Sequence, residues 1–395
     1  MNDLAPLLTP EGRALLDEVR DTDPAHELAV ATRLRREHPA ELVSAALGQA
    51  RLRQRAVAKF GAEDARRMFF TPNGVEQSTR ASVAAYRAEC LRAKGVRSVA
   101  DLCCGIGGDA IAFARAGIRV LAVDRDPATC AAARANADAL GLAGLIEVRE
   151  ADVTEVDTAG YDAVFVDPAR RSSPRGRIFD PEAYSPPLSW AVSAALAAPV
   201  GLLKIAPGIP HEAIPAEATA EWVSDHGHVK EAVLWFGPDV TPGARRATLL
   251  PALAGIYVTP GTMLPDPGVR PVGRYLYEPD GAVIRAHLVA QVAEDLDGGL
   301  IDATIAYVTA DAYRPTPYAT AYEITDRLPF GVKKLKALLR ERRVGTLTVK
   351  KRGSAVEPEE LRRKVLPKPH GTASVTVFLT RVDGAPTMLL GHPAR

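Results

Sequence analysis

The sequence predicts an α/β fold: a doubly wound parallel sheet, with a helical segment before it and an α+β segment after it. Three observations carry this. Between residues 98 and 206, short apolar strand-like runs alternate with helical runs, the pattern of parallel strands joined by crossover helices. A glycine-rich turn, "DLCCGIGG" at 101–108, closes the first of these strands. Residues 10–68 place their apolar side chains at helical spacing.

The elements follow in order. In "ELVSAALGQARLRQRAVAKFG" the apolar positions Leu42, Ala45, Ala46, Leu52, Val57 and Phe60 recur with helical period, and Gly61 is a stop signal. Residues 1–68 therefore read as an N-terminal helical domain. Its many arginines suit a solvated face or contact with nucleic acid, and both readings stay open. Candidate strands of the next domain, 69–260, are "SVADLCC", "RVLAVD", "IEVREADV", "AVFVDP", "VGLLKIA", "VKEAVLWFG" and "ALAGIYV". Helical runs separate the first five. The last two lack a convincing helix between them, which predicts an antiparallel edge. "TPGTMLPDPGVRP" is rich in Pro and Gly and reads as a linker. Residues 272–395 then predict an α+β domain, with strands near "RYLYEP", "IAYVTA", "TAYEITDRLP", "VGTLTVKKRG" and "ASVTVFLTRV". Its helices are expected near "VIRAHLVAQVAEDL", "VKKLKALLRERR" and "EPEELRRKVL".

The chain is 395 residues long, enough for two or three domains, and its 47% hydrophobic and 25% charged composition is that of a globular protein. No apolar run reaches the roughly 18 residues of a membrane span, and "MNDLAPLLTPEGR" has no signal-peptide pattern. The expected location is cytoplasmic. Cys90, Cys103, Cys104 and Cys130 have no histidine near them to complete a zinc set, and read as reduced, buried thiols. The net charge of +1 hides a segregation: residues 81–330 sum to −9 and residues 331–370 to +9. Lys350, Lys351 and Arg352 lie within the basic stretch. Such a surplus predicts an anionic partner, RNA above all.

Asp101-x-Cys103-x-Gly105-x-Gly107 occupies the end of the first strand. The Gly-Lys-Ser/Thr of a P-loop is absent. A dinucleotide site of an NAD-dependent oxidoreductase is allowed, since Gly105, Gly107 and Ala110 fit G-x-G-x-x-G/A and Asp124 follows. An acid at Asp101 instead suits a ligand with a cationic group there, as in S-adenosyl-L-methionine. Asp124 can accept ribose hydroxyls, Asp152 in "EADV" an adenine amine, and Asp167-Pro168 ends the fourth strand at the same sheet edge. Asp109 and Arg125 flank the first two positions and complete the candidate set, although Asp109 and Asp152 also fit helix caps.

On these residues, 68–171 resemble class I S-adenosylmethionine-dependent methyltransferases, and most nearly the RNA trimethylguanosine synthase type. The resemblance implies a Rossmann-like seven-stranded methyltransferase sheet. It also implies that "MFFTPNGVEQST" closes over the cofactor, with Phe70, Thr71 and Gln77 in the site. Residues 272–395, with "VKKRG", "LRRKVLP" and "ASVTVFLTRVDGAPTMLL", resemble a THUMP-like domain found fused to such enzymes.

The fourth strand end bears on the chemistry. Amino-directed relatives carry Asp/Asn/Ser-Pro-Pro-aromatic there, whereas this chain reads "VDPARR". Asp167 and Pro168 match; Ala169 and Arg170 replace the second proline and the aromatic. Arg170 or Arg171 could stack on a base or hold phosphates, and Phe179 or Tyr184 could supply the ring. No cysteine lies near this strand or the next, which argues against a covalent cytosine mechanism. Lys204, in an otherwise apolar fifth strand, either snorkels to the rim or meets Asp167 in a pair suited to deprotonating a ribose hydroxyl. The expected function is S-adenosylmethionine-dependent methylation of RNA, with a base amine or ring nitrogen ahead of a ribose hydroxyl. A catalytically inactive RNA-binding protein and an NAD-dependent oxidoreductase are the alternatives.

Overall fold

The structure, a computed structural model, describes residues 4–169, 172–173, 176–177 and 181–394. Arg170, Arg171 and Phe179 lie outside the described residues. The chain divides into two compact units, Met1–Ala220 with Glu231–Gly243, and Glu221–Lys230 with Ala244–Arg395.

The first unit opens with helices α1 (Pro10–Glu18), α2 (Glu27–Leu34) and α3 (Ala40–Arg67). Thr9 caps α1 by accepting the Gly12 N–H at 3.0 Å. The stop at Gly61 is a kink (φ 77°) inside α3 rather than its end. Leu42, Ala46 and Phe60 are buried, while Val57 is exposed. Two shorter helices follow, α4 (Pro72–Gln77) and α5 (Ala81–Ala93).

The sheet is then laid down as β1 (Ser98–Leu102), β2 (Arg119–Asp124), β3 (Ile146–Glu150), β4 (Ala163–Val166) and β5 (Val200–Ile205). Helices α6 (Gly108–Arg115), α7 (Pro127–Ala139) and α8 (Leu188–Leu196) connect them. Strands β3-β2-β1-β4-β5 are parallel neighbours in that order. β1 and β4 are buried along their whole length, as expected of apolar strands covered on both faces. Strand β6 (Thr219–Asp225) comes next, and β7 (His228–Phe236) runs antiparallel to β5. β6 was not legible in the sequence because it buries Glu221, Ser224 and Asp225.

In the second unit, β8 (Arg245–Leu250) pairs antiparallel with β9 (Ala254–Val258). Further on lie β10 (Tyr275–Pro279), α9 (Gly281–Arg285), α10 (Val289–Asp295), β11 (Gly299–Asp302), β12 (Ile305–Ala310) and β13 (Ala319–Pro329). The unit ends with α11 (Val332–Glu341), β14 (Val344–Lys351), α12 (Pro358–Val365), β15 (Ala373–Val382) and β16 (Ala385–Pro393). The seven-stranded order is β11-β12-β10-β13-β16-β15-β14. The single helix expected over 283–296 is broken at His287, whose φ is +58°. α11 and α12 bury Leu335, Leu339, Leu361 and Val365 against β14, β15 and β16, and turn their lysines and arginines outward. No helix among the described residues is long and apolar enough to cross a membrane.

A candidate active site at the strand ends

Backbone hydrogen bonds bring four strand ends together. Cys104 N donates to Val123 O at 2.9 Å, Asp167 N to Leu102 O at 3.0 Å, and Ala151 N to Asp124 O at 3.0 Å. The turn after β1 passes through left-handed conformations at Cys103 (φ 67°), Gly105 (57°) and Gly107 (85°). A Cβ at Gly105 would meet no atom of the described residues within 4 Å, so the backbone there faces open space. Asp124 supports the turn: its Oδ2 accepts the Gly105 N–H at 3.1 Å and its Oδ1 the Asp126 N–H at 3.0 Å. Arg125 is exposed beside it. Asp152 is exposed and caps the 3₁₀ turn Val153–Glu155, taking the Thr154 N–H at 2.9 Å and its hydroxyl at 2.7 Å. Those bonds, the backbone one first, hold its carboxyl below the usual range.

Behind the turn lies a buried charge cluster. Lys204 on β5 donates to Asp167 Oδ2 at 2.6 Å and to Thr79 Oγ1 at 2.9 Å. Of the two sequence readings of Lys204, the structure has the pair. The Thr79 hydroxyl donates to Asp109 Oδ2 at 2.7 Å, and Arg87 on α5 joins Asp109 to Glu231 on β7 through an ion pair to each. Arg87 also stacks on the Phe165 ring, 4.6 Å from its centroid. Exposure rises from 2% at the Arg87 side chain through 14% at Lys204 to 30% at Asp167, so Asp167 is the member that opens to the crevice. Burial works against the Lys204 charge, but Asp167, Asp109 and Glu231 outweigh it and raise its pKa. Lys204 is therefore a cation throughout the neutral range.

Asp101 differs from the rest. It is fully buried at the end of β1, and neither of its carboxylate oxygens has a hydrogen-bond partner among the described residues. Burial, then the charges of Asp109 and Asp167, push its carboxyl well above the usual range. Cys103 and Cys104 are pushed up as well, by burial first and by neighbouring carboxylates second, which suppresses the thiolate a nucleophile needs.

The stretch 68–79 is clamped onto the turn. Gln49 of α3 brackets the Phe70 backbone, donating to its O at 2.6 Å and accepting its N–H at 3.1 Å. Asn136 of α7 accepts the Phe69 N–H and donates to Phe69 O and Ile106 O. Lys59 donates to Ser78 O at 2.8 Å and also to Glu76 O. The Phe70 ring is fully buried against Phe60, Thr71 caps α4 through the Gly74 N–H, and Gln77 is exposed. After Asp167, Pro168 is buried, and Ala169 exchanges backbone hydrogen bonds with Ser185. Tyr184 is buried.

The chain is 34% identical to uncharacterized S-adenosylmethionine-dependent methyltransferases of two Mycobacterium tuberculosis strains, over 84% of this chain and 90% of theirs. It belongs to the S-adenosylmethionine-dependent methyltransferases. Residues 99–171 of the enzyme match a methyltransferase-domain family, 319–393 a THUMP-domain-like family, and 1–56 a domain of unknown function. A solved structure of a putative methyltransferase from Porphyromonas gingivalis W83 shares its fold, with TM-score 0.75 and 22% identity over 94% of this chain and 99% of that one. Family membership makes S-adenosylmethionine the cofactor of this chain, rather than a dinucleotide. Sequence reasoning missed Thr79, Arg87, Glu231 and Gln49 of this methyltransferase. Only Arg87 carried a signal: it shares a helix face with Val83, Ala84, Ala88 and Leu91, all of which are buried.

Proposed function

We propose that the enzyme methylates RNA, and that the crevice at the strand ends holds S-adenosylmethionine beside Asp167. The observation that carries the cofactor placement is Asp101, a buried carboxyl group without a partner among the described residues, beside a turn whose Gly105 faces open space. Asp101, Asp109, Asp167 and Glu231 outnumber the cations Arg87 and Lys204 in the cluster, which suits a cationic ligand. Asp124 stands at the end of β2 for the ribose and Asp152 after β3 for the adenine, with Arg125, Cys103, Gly107, Thr71 and Gln77 lining the approach. When bound, the cofactor supplies an electrophilic methyl group on its sulfonium. Asp167 accepts a hydrogen bond from the target group and orients it, and Pro168 directs the chain away from the crevice. Lys204, already a cation, takes no proton; it fixes the Asp167 carboxylate. That supports a base amine or ring nitrogen over a ribose hydroxyl, which would need a base.

Asp124→Ala is expected to weaken S-adenosylmethionine binding by about 1.5–3 kcal/mol, the range for hydrogen bonds to a charged group, as read by calorimetry. The substrate class is tested by labelled methyl transfer to total RNA from cells lacking the protein, followed by nucleoside mass spectrometry. No labelled nucleoside would defeat the RNA assignment.

A basic surface of the second unit supports RNA. Lys333, Lys334, Lys336, Arg340, Arg343, Arg363 and Lys368 are exposed, and beside them Phe330 is 41% exposed. The three cations singled out from the sequence are engaged within the domain: Lys350 pairs with Glu278, Lys351 with Glu357, and Arg352 lies over the Tyr307 ring. Replacing Lys333, Lys336, Arg340 and Arg343 by serine is expected to lower the slope of log K against log[salt] for single-stranded RNA. The decrease should be about 0.7 for each phosphate that is no longer neutralised. The Lys350→Ser, Lys351→Ser double variant should keep a nearly unchanged slope. Equal slopes in all three proteins would remove this surface from the account.

A further inference from the structure

Among the described residues, Asp101 is the one carboxylate of the cluster that no cation or hydroxyl touches. Asp109 has Arg87 and Thr79, Glu231 has Arg87, and Asp167 has Lys204. Both Asp101 oxygens are buried and have no hydrogen-bond partner among the described residues, a position that an ionised carboxylate holds only at high cost. We infer that Asp101 is a neutral acid in the ligand-free enzyme and ionises when the ammonium of the cofactor's amino-acid end reaches it, so that cofactor binding releases a proton to solvent. This rests on the cofactor placement proposed above.

The charges that act on Asp101 sit on four neighbouring segments. Asp109 on α6 and Asp167 beyond β4 favour the neutral form. Arg87 on α5 and Lys204 on β5 favour the carboxylate, and burial outweighs them all. Arg87 and Lys204 are already engaged by other acids, so little of their charge is left for Asp101. An arriving ammonium adds the missing cation at contact distance, and the carboxyl O–H bond breaks, its proton passing to buffer. Folded Asp101 thus binds a proton that the unfolded chain gives up near the ordinary carboxylate pKa. Its contribution to ligand-free stability therefore falls as pH rises above the ordinary carboxylate pKa toward its own raised value.

Two measurements test this. Calorimetric titration with S-adenosylmethionine at pH 7, in buffers of different ionisation enthalpy, counts the protons exchanged. The expected result is release of about one proton, with the same count for S-adenosylhomocysteine, which keeps the ammonium and lacks the sulfonium charge. Asp101→Asn should bind both ligands more weakly, with no proton count. Without ligand, its melting temperature should equal or exceed that of the wild type at pH 7–8, because it removes a buried acid and keeps the shape. Binding with no buffer dependence, an undiminished count in Asp101→Asn, or a count for S-adenosylmethionine but not for S-adenosylhomocysteine would each overturn the inference. No binding of either ligand would instead overturn the cofactor placement, and this inference with it.

Discussion

Asp167→Asn is expected to lower the rate of methyl transfer to RNA by about 10²–10⁴-fold while S-adenosylmethionine affinity stays within a few-fold of wild type. The asymmetry comes from position. Asp167 is the most exposed acid of the buried cluster, and it stands one residue beyond β4, where the sheet edge meets the crevice. Asparagine keeps the size and one acceptor oxygen but loses the charge that Lys204 balances at 2.6 Å. Lys204→Met then separates two chemistries. Should the target be a neutral nitrogen, the cation only steadies Asp167 and the loss is small. A ribose hydroxyl would lose as much as in Asp167→Asn. Single-turnover rates beside calorimetric affinities decide; full activity in Asp167→Asn would move the chemistry off this strand.

Arg87→Met is expected to cost about 3–5 kcal/mol of folding stability, the range for breaking a buried ion pair by deleting one partner. The guanidinium is 2% exposed and serves Asp109 and Glu231 at once. Burial opposes its charge, but the two carboxylates outweigh that and keep it ionised. Without it both acids are buried without a cation. They then bind protons that the unfolded chain would release, so the deficit should be smaller at pH 5 than at pH 8. Urea denaturation at the two values measures both claims. Adding Glu231→Gln should recover part of the loss, since it removes one of the stranded charges. A deficit below about 1 kcal/mol, or one independent of pH, would mean that water replaces the guanidinium. A catalytic effect is expected too, because Asp109 holds Thr79 and Thr79 holds Lys204.

Local order along the chain was enough for the parallel part of the sheet, since β1, β2, β4 and β5 are apolar runs closed by turn residues or acids. It was enough, too, for the acids Asp101, Asp124, Asp152 and Asp167, because a parallel sheet delivers the ends of its strands to one edge. β6 and β8 were not legible. β6 buries Glu221 and Asp225, and Thr248 of β8 donates to Glu221 at 2.5 Å, a pairing across 27 residues that no hydropathy pattern carries. In sequence the four acids share one feature, a place at a strand end, and the fold gives each a different environment. Asp152 caps a turn, Asp124 braces the glycine loop, Asp167 pairs with Lys204, and Asp101 has no partner among the described residues. The same holds for the basic stretch: only tertiary contacts distinguish Lys350 and Lys351, neutralised by Glu278 and Glu357, from Lys333 and Arg340, which face solvent. Local sequence sufficed for the parallel strands with their crossover helices, for the glycine turn and for the acids that end those strands, because these depend on neighbours along the chain. Which acid is paired, capped or left bare depends on Arg87, Thr79 and Glu231, brought from distant segments, and burial then decides which charges persist.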